Sequence, residues 1–357
     1  MGTTRILYDN IITDAGYLSV SSQRSGLVSS ALKSGTGSAT MTTSGSFSGA
    51  QDLEYVVEID SVSGGAEVGS ATFRWSGDGG NTWDADGVTT STAATLLGDG
   101  VYIAFTSGTG DDFVLGDKWY LRGINYFNPA KILDGSRDTR YRSSSLDNPN
   151  WVKISLGAAV SADCIAIYDH NFSSAAVITI QGNAADSWGA PTFSETITWN
   201  SCKILHYFAS TQSFQYWRLV ISDETNAAAY IQISELCLGE YLALSRAPAW
   251  GRGRDNAFVG RSLSTEFGST KRLFRNWATT LNYSFDFLTV TDVNNLFSML
   301  DTISSQNTGK ISPIFFNEVS DTPNEFWLVT FDSLGEKYEF DGRYSLDLSL
   351  SEVMKSA

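Results

Sequence analysis

The stretch 128–157, NPAKILDGSRDTRYRSSSLDNPNWVKISLG, decides how the rest of the chain is read. Its first half gathers Asp134, Asp138, Thr139 and three arginines and follows neither a helical nor a strand period. Its second half becomes WVKISLG, where apolar and polar residues alternate as in a half-buried strand. A polar Asp/Gly/Ser turn running into such a strand is the entry expected of an antiparallel β domain.

The surroundings agree with a β protein. The 357 residues are long for one core, and 42% are hydrophobic, 13% aromatic, enough to bury several. There are 32 glycines and only 6 prolines, so Gly, Asn, Asp and Ser make the turns. A net charge of −15 argues against nucleic acid as a global partner, since phosphate contacts need Lys and Arg. Three cysteines, Cys164, Cys202 and Cys237, are too few and odd in number for a disulfide framework and are expected as buried free thiols. MGTTRILYDN lacks an apolar signal core, and no stretch is long enough for a membrane span.

Three patterns divide the chain. Residues 34–123 hold short runs such as LEYVVEI, ATFRW, VYIAF and KWYLRG between Gly/Asp turns, which predicts a small sandwich with Trp75, Trp83 and Trp119 in its core. GDGGNT there lacks a GK[ST] ending and a following helix, so it reads as a hairpin turn and not a phosphate loop. Residues 124–242 hold a second set, including DCIAIYDHN, AAVITIQGN and QYWRLVISD. Residues 243–357 open with a basic stretch carrying Arg246, Arg252, Arg254, Arg261, Lys271, Arg272 and Arg275, expected as a long loop. An alternating run follows, and then a helix with Val293, Leu296, Phe297, Leu300 and Ile303 on one stripe and Thr289 and Asp292 at its start. SPIFFNE, EFWLVTFDS and DGRYSLDLSLSEV return to strands.

Asp134, Gly135, Thr139, Trp151, Ile154, Leu156 and Gly157, with YWRLVISD and IQISELCLGE later, resemble the first and last parts of a discoidin-like, galactose-binding jelly roll. The strand that opens such a domain has its counterpart in ILYDNIITDAGYLSVSSQ (6–23). The resemblance therefore implies a discontinuous jelly roll of 1–33 and 124–242, interrupted by an inserted sandwich at 34–123. In the last segment Phe326, Trp327, Leu328, Val329, Phe331, Tyr344 and Glu352 resemble phage distal-tail and minor tail proteins of tail-tube-like fold. That implies a ring-forming β-barrel with one packed helix at 243–357. The fold expected is mainly β, of three modules.

The function implied is that of a structural virion protein of a phage tail tip, made in the host cytoplasm. Its partners would be copies of itself in a ring of about six or about three subunits, other tail proteins (tube, hub, fibres) and a host surface glycan. The alternative is a carbohydrate-binding, lectin-like surface protein. No enzyme is expected: His170 and His206 stand apart, and HExxH, CxxC and GxSxG are absent. No cofactor is expected beyond a structural calcium ion. The jelly-roll resemblance places that ion at Asp134, Ser136, Thr139 and Glu235, against the plain reading of a local Asx turn. Tyr126, Arg140, Tyr141, Arg142, His170, Asn171 and Trp188 are the glycan candidates, aromatic for ring stacking and polar for hydroxyls. The basic stretch is read as an assembly arm or as a solvated loop.

Overall fold

The computed structural model is mainly β, with several antiparallel sheets and one α-helix among the described residues. The structure describes residues 2–354 except 50, 148, 250–252, 265–269 and 306–312, and only the backbone at 258–264, 270–277 and 305. Residues 1–22 with 131–357 form one compact unit, and residues 23–130 another.

The 23–130 unit pairs a three-stranded sheet (40–45, 101–106, 95–98) with a larger one built around 53–61 and 118–124. Phe47, Tyr55, Phe73, Phe105, Phe113 and Trp119 fill the space between. Trp83 lies at its edge, under the Arg74 guanidinium at 4.1 Å. The GDGGNT stretch is a hydrogen-bonded turn. Asp78 accepts from Ser76 Oγ (2.6 Å), Thr82 N (2.9 Å) and Thr82 Oγ1 (2.7 Å), bonds that hold its carboxyl well below the usual range.

The larger unit begins with β1 (Arg5–Leu7) and β2 (Leu18–Val20). Strands β3 (Asn150–Tyr168), β4 (Val177–Asn183), β5 (Phe193–Ile197), β6 (Lys203–Ser222) and β7 (Glu235–Gly239) form one sheet, in the order β5-β4-β6-β3-β7. β2 pairs with β3 as well. Alternation does the sorting. Val152, Ile154, Leu219 and Ile180 are buried, while Lys153, Arg218 and Gln181, one step along, lie on the other face.

Besides a short pair, Tyr141–Arg142 with Gln232–Ile233, the unit holds a seven-stranded sheet. It contains β8 (Tyr241–Ala243), β9 (Gly253–Ser264), β10 (Thr270–Thr289), β11 (Ile314–Asn317), β12 (Phe326–Phe340) and β13 (Arg343–Glu352), and helix α1 (Val290–Ser305) follows β10. The order is β8-β1-β11-β12-β13-β10-β9. The sheet is open, not the closed barrel expected: β8 pairs only with β1 and β9 only with β10, which leaves two free edges among the described residues. β1 also departs from the expectation that 1–33 opens the jelly roll as a whole. Ile6 faces Phe316 and Leu242 across the seven-stranded sheet, where its side chain is fully buried. Leu7, Cys164, Tyr168, Leu205, Phe315 and Phe326 form a further core joining the two sheets of this unit.

Helix α1 sets Val293, Leu296, Met299 and Ile303 against Leu281, Tyr283 and Phe285. Phe297, expected on that stripe, is 43% exposed; Met299 takes the inner position. Thr289 and Asp292 close the helix start reciprocally: Asp292 N donates to Thr289 Oγ1 (3.2 Å), and Thr289 N to Asp292 Oδ2 (2.9 Å). Ser245 adds two bonds to the same carboxylate, at 2.9 and 2.6 Å. Burial would raise the Asp292 pKa, but the bonds from Ser245 and Thr289 outweigh it and lower it. Asp292→Ala is therefore expected to remove about 2 kcal/mol, read as a lower urea midpoint with unchanged slope.

Of the cysteines, Cys164 and Cys237 are buried free thiols, but Cys202 is exposed. It sits in a turn at φ 66, where the chain reverses before β6.

Candidate functional site

The Asp-Gly turn forms as the sequence suggests. Gly135 has φ 69, and a Cβ there would lie 2.9 Å from Pro313 Cγ, so both conformation and space call for glycine. The four expected metal ligands come together around it. Ser136 N donates to Asp134 Oδ1 (3.1 Å) and to Glu235 Oε1 (2.8 Å). Thr139 Oγ1 lies 2.7 Å from each Asp134 oxygen. Glu235 is 5% exposed, and its pKa is pushed up to about 10 by burial and then by the Asp134 charge. Asp134, Gly135 and Glu235 line a cavity of about 420 Å³ with Asn10, Cys237 and Pro313.

Arg137, which would oppose a cation if it turned inward, turns away. Its Nε binds Asp169 Oδ2 at 3.0 Å, its Nη1 binds Glu352 Oε1 at 2.7 Å, and its guanidinium lies 4.9 Å from the Tyr168 ring centroid. Two carboxyl groups therefore meet without a cationic side chain between them. Their oxygens, the Ser136 carbonyl and the Thr139 hydroxyl suit a hard cation in kind. At most two of those ligands can carry charge, and no group of three or more His, Cys, Asp or Glu forms among the described residues. Calcium held here would bind weakly, because affinity follows charge count.

The glycan candidates do not converge on one surface. Tyr141 is 1% exposed and donates its hydroxyl to Ser22 O at 2.6 Å. His170 is buried and stacked on Phe172 at 4.3 Å, and burial lowers its pKa to about 4. Asn171 ties two loops together: its Nδ2 donates to Tyr230 O (2.9 Å), and its Oδ1 accepts from Gln232 N (2.8 Å). These three were expected in accessible loops. Instead they brace the interior: the Tyr141 hydroxyl and the Asn171 amide bond the backbone of distant segments, and His170 Nδ1 accepts from Phe172 N at 3.1 Å. Arg142 stacks on Tyr230 at 4.1 Å and donates to Gln232 Oε1 (2.9 Å), and Arg140 reaches the Asp138 carbonyl at 3.3 Å. Tyr126 is 56% exposed. Trp188 is half-buried, donates to Asp186 Oδ1 (2.7 Å) and lies under Arg218 at 4.5 Å.

The basic stretch is a hairpin, not a loop. β9 and β10 pair from Gly253↔Asn282 to Ser264↔Thr270, with one register shift at Val259/Gly260. β13, on the other side of β10, pairs only with Thr280–Thr289. From Thr279 to Thr270 the hairpin therefore projects as a two-stranded ribbon, about 33 Å long at roughly 3.3 Å per residue. Its root is pinned by Arg254, which lies over Trp327 at 4.6 Å, with Lys203 Nζ 4.8 Å from the same ring. Arg261, Lys271, Arg272 and Arg275 fall on the ribbon's strands; Arg246 is exposed before it, and Arg252 lies outside the described residues.

One surface has no counterpart among the expected sites. Tyr338 and Phe340 are each 59% exposed, beside Phe287 (45%) and Val290 (48%). The signal was present in the sequence: Asp341-Gly342 between alternating runs marks a hairpin tip, with aromatics leading into it. No described helix is long and apolar enough to cross a membrane.

No known protein family matches the sequence, and no curated protein matches it. Solved structures that are similar include three carbohydrate-binding modules. Chitosan-binding module 1 of a chitosanase/glucanase from Paenibacillus sp. IK-5 is 21% identical, with a TM-score of 0.26 over 32% of this chain and 85% of that one. The CBM32 of AlyQ, in complex with 4,5-unsaturated mannuronic acid, is 17% identical, with a TM-score of 0.26 over 31% and 84%. A Streptococcus pneumoniae fucose binding module is 12% identical, with a TM-score of 0.26 over 31% and 82%.

Proposed function

We propose that this chain is a structural subunit that assembles with copies of itself through the β9–β10 ribbon, in the manner of a phage tail-tip ring. One observation carries the reading: the ribbon extends well past its last neighbouring strand. An isolated two-stranded hairpin is marginal in water, and its unpaired backbone groups are a template for another chain. Its sequence is also apolar for a solvated arm, with Phe258, Leu263, Leu273, Phe274 and Trp277. A ribbon that leaves one copy and docks elsewhere on the next makes a head-to-tail contact, which closes into a ring when the rotation allows. About six copies is the expected number, with about three as the alternative. The other β modules would then be available to tail proteins or to a host glycan.

A carbohydrate-binding role has its own support in Trp188, whose ring and guanidinium neighbour Arg218 lie on the non-core face of the β3–β6 sheet. Electron micrographs of the purified chain discriminate between the two. The assembly reading predicts rings or short stacks; a field of single particles that shifts only when glycan is added favours the second.

A further inference from the structure

The seven-stranded sheet is bipolar along its strands. At one end the ribbon leaves, beyond the Thr280↔Ser351 pair. The ribbon strands carry Arg254, Arg261, Lys271, Arg272 and Arg275 against Asp255. At the other end, past Leu288↔Tyr344, β12 and β13 turn over through Asp341 and Gly342 at φ 47 and 68. Here an aromatic knob stands out of the fold. The Phe287 and Phe340 rings meet edge to face at 6.0 Å, and Tyr338 and Tyr344 at 5.4 Å. Around it the ends of β10, β12 and β13 and the turn between the last two carry Asp286, Glu336, Glu339 and Asp341 against Lys337 and Arg343, and Lys337 is itself paired with Glu339 at 3.0 Å.

Phe287 is the telling residue. It has φ 60, a left-handed conformation that is strained for a non-glycine, and it sits where the β10–β13 register shifts between Phe285 and Leu288. The bulge lets Phe285 and Leu288, three positions apart, both face the core, and it turns Phe287 between them outward. Its visible consequence is a phenyl ring held half-exposed at the surface. The ring joins Tyr338 and Phe340 in a cluster of exposed large apolar side chains, the kind of patch that marks an interaction surface.

We propose that the knob formed by Phe287, Val290, Tyr338 and Phe340 is the surface on which the basic ribbon of a neighbouring copy docks. This rests on the self-assembly reading and names the acceptor that reading leaves open. A second copy is the occupant because the charges complement each other: a basic, apolar ribbon meets an aromatic patch rimmed by acids. The ribbon cannot fold back on its own knob, since the ten-residue span Thr280–Thr289 separates the two, about 30 Å along the strand.

Three variants test the proposal by sedimentation velocity across a concentration series. They are a ribbon-shortened chain, the double variant Tyr338→Glu/Phe340→Glu, and Phe287→Gly. The double variant should require a concentration at least about tenfold higher to assemble, as for loss of central aromatic anchors. Phe287→Gly relieves the left-handed strain, so its melting temperature should hold or rise while its assembly weakens. A merely structural Phe287 would not split the two readouts in this way. A mixture of the ribbon-shortened chain with the double variant should give capped 1:1 pairs, since each supplies the half that the other lacks. If both knob variants assemble as the parent does while the ribbon-shortened chain stays single, the acceptor lies elsewhere and the assembly reading survives. If the ribbon-shortened chain assembles normally, that reading falls with the proposal.

Discussion

Cutting the ribbon back should leave a chain that folds but no longer assembles. Asn256 and Thr279 face each other across the hairpin, so residues 257–278 can be replaced by a two-residue Asn-Gly turn without moving either strand. Thr280–Thr289 keeps its pairing with β13 and its contact with α1, because neither involves the deleted residues. The far-ultraviolet circular dichroism should therefore remain that of a β protein, with unfolding free energy within about 1 kcal/mol of the parent. Assembly should fall by at least three orders of magnitude, since the interface loses its projecting element and four of the five basic residues on its strands. A shortened chain that forms the parent's oligomer would show that the ribbon is a solvated extension.

The second large effect concerns Glu235. Its carboxyl has a folded pKa of about 10, against an ordinary value of 4.5. Between those values the folded chain holds a proton that the unfolded chain has lost, so stability is greatest in acid and falls as pH rises. The limiting slope is about 1.4 kcal/mol per pH unit. With chelator present, a loss of at least about 2 kcal/mol is expected between pH 5.5 and 8.5, allowing for local hydration of the ionised group. Glu235→Gln keeps an oxygen for Ser136 N and removes the charge, so it should flatten that dependence and be more stable than the parent at pH 8.5. Calcium is the other way to neutralise the pair. With two charged ligands it should raise the parent's melting temperature at pH 8 only at millimolar levels, and should leave Glu235→Gln unmoved. A parent chain with pH-independent stability over this window would mean that Glu235 is not held as a buried neutral acid.

Much of this architecture was legible in the residues. Strict alternation in WVKISLG and in YSLDLSLS named strands and faces correctly, because a half-buried strand has a period of two and few other structures do. The helix after Thr289 announced itself by its cap and stripe, and only Phe297 was misplaced. The stripe is wide enough that Met299 and Phe297 compete for the inner position, and sheet contacts decide. The ribbon was read as a loop because Arg, Asn and Gly interrupt its alternation, and a two-stranded projection needs no buried face to enforce one. β1 joined a sheet whose other strands lie more than two hundred residues away, a pairing that no local pattern can express.

The candidate site divides in the same way. Asp134, Ser136, Thr139 and Glu235 come from the jelly-roll resemblance, and hydrogen bonds bring the four together around one turn. Tyr141, His170 and Asn171 were misread as surface groups because their sequence neighbours are polar. Burial of such residues is decided by partners far along the chain, Ser22 for Tyr141 and Tyr230 for Asn171. The exposed knob was missed for the converse reason: an aromatic before a tight turn is usually core, and only the left-handed Phe287 and the splayed hairpin tip reveal otherwise.

The central claim is that this chain is built to bind itself. Static light scattering across a concentration series tests it most directly, against the 38.8 kDa of a single chain. The account predicts a molar mass that climbs with concentration to a plateau at an integer multiple of that value, and that falls in high salt as the basic ribbon is screened. A mass of one chain at every concentration and ionic strength, alone and in the presence of the ribbon-shortened variant, would contradict it.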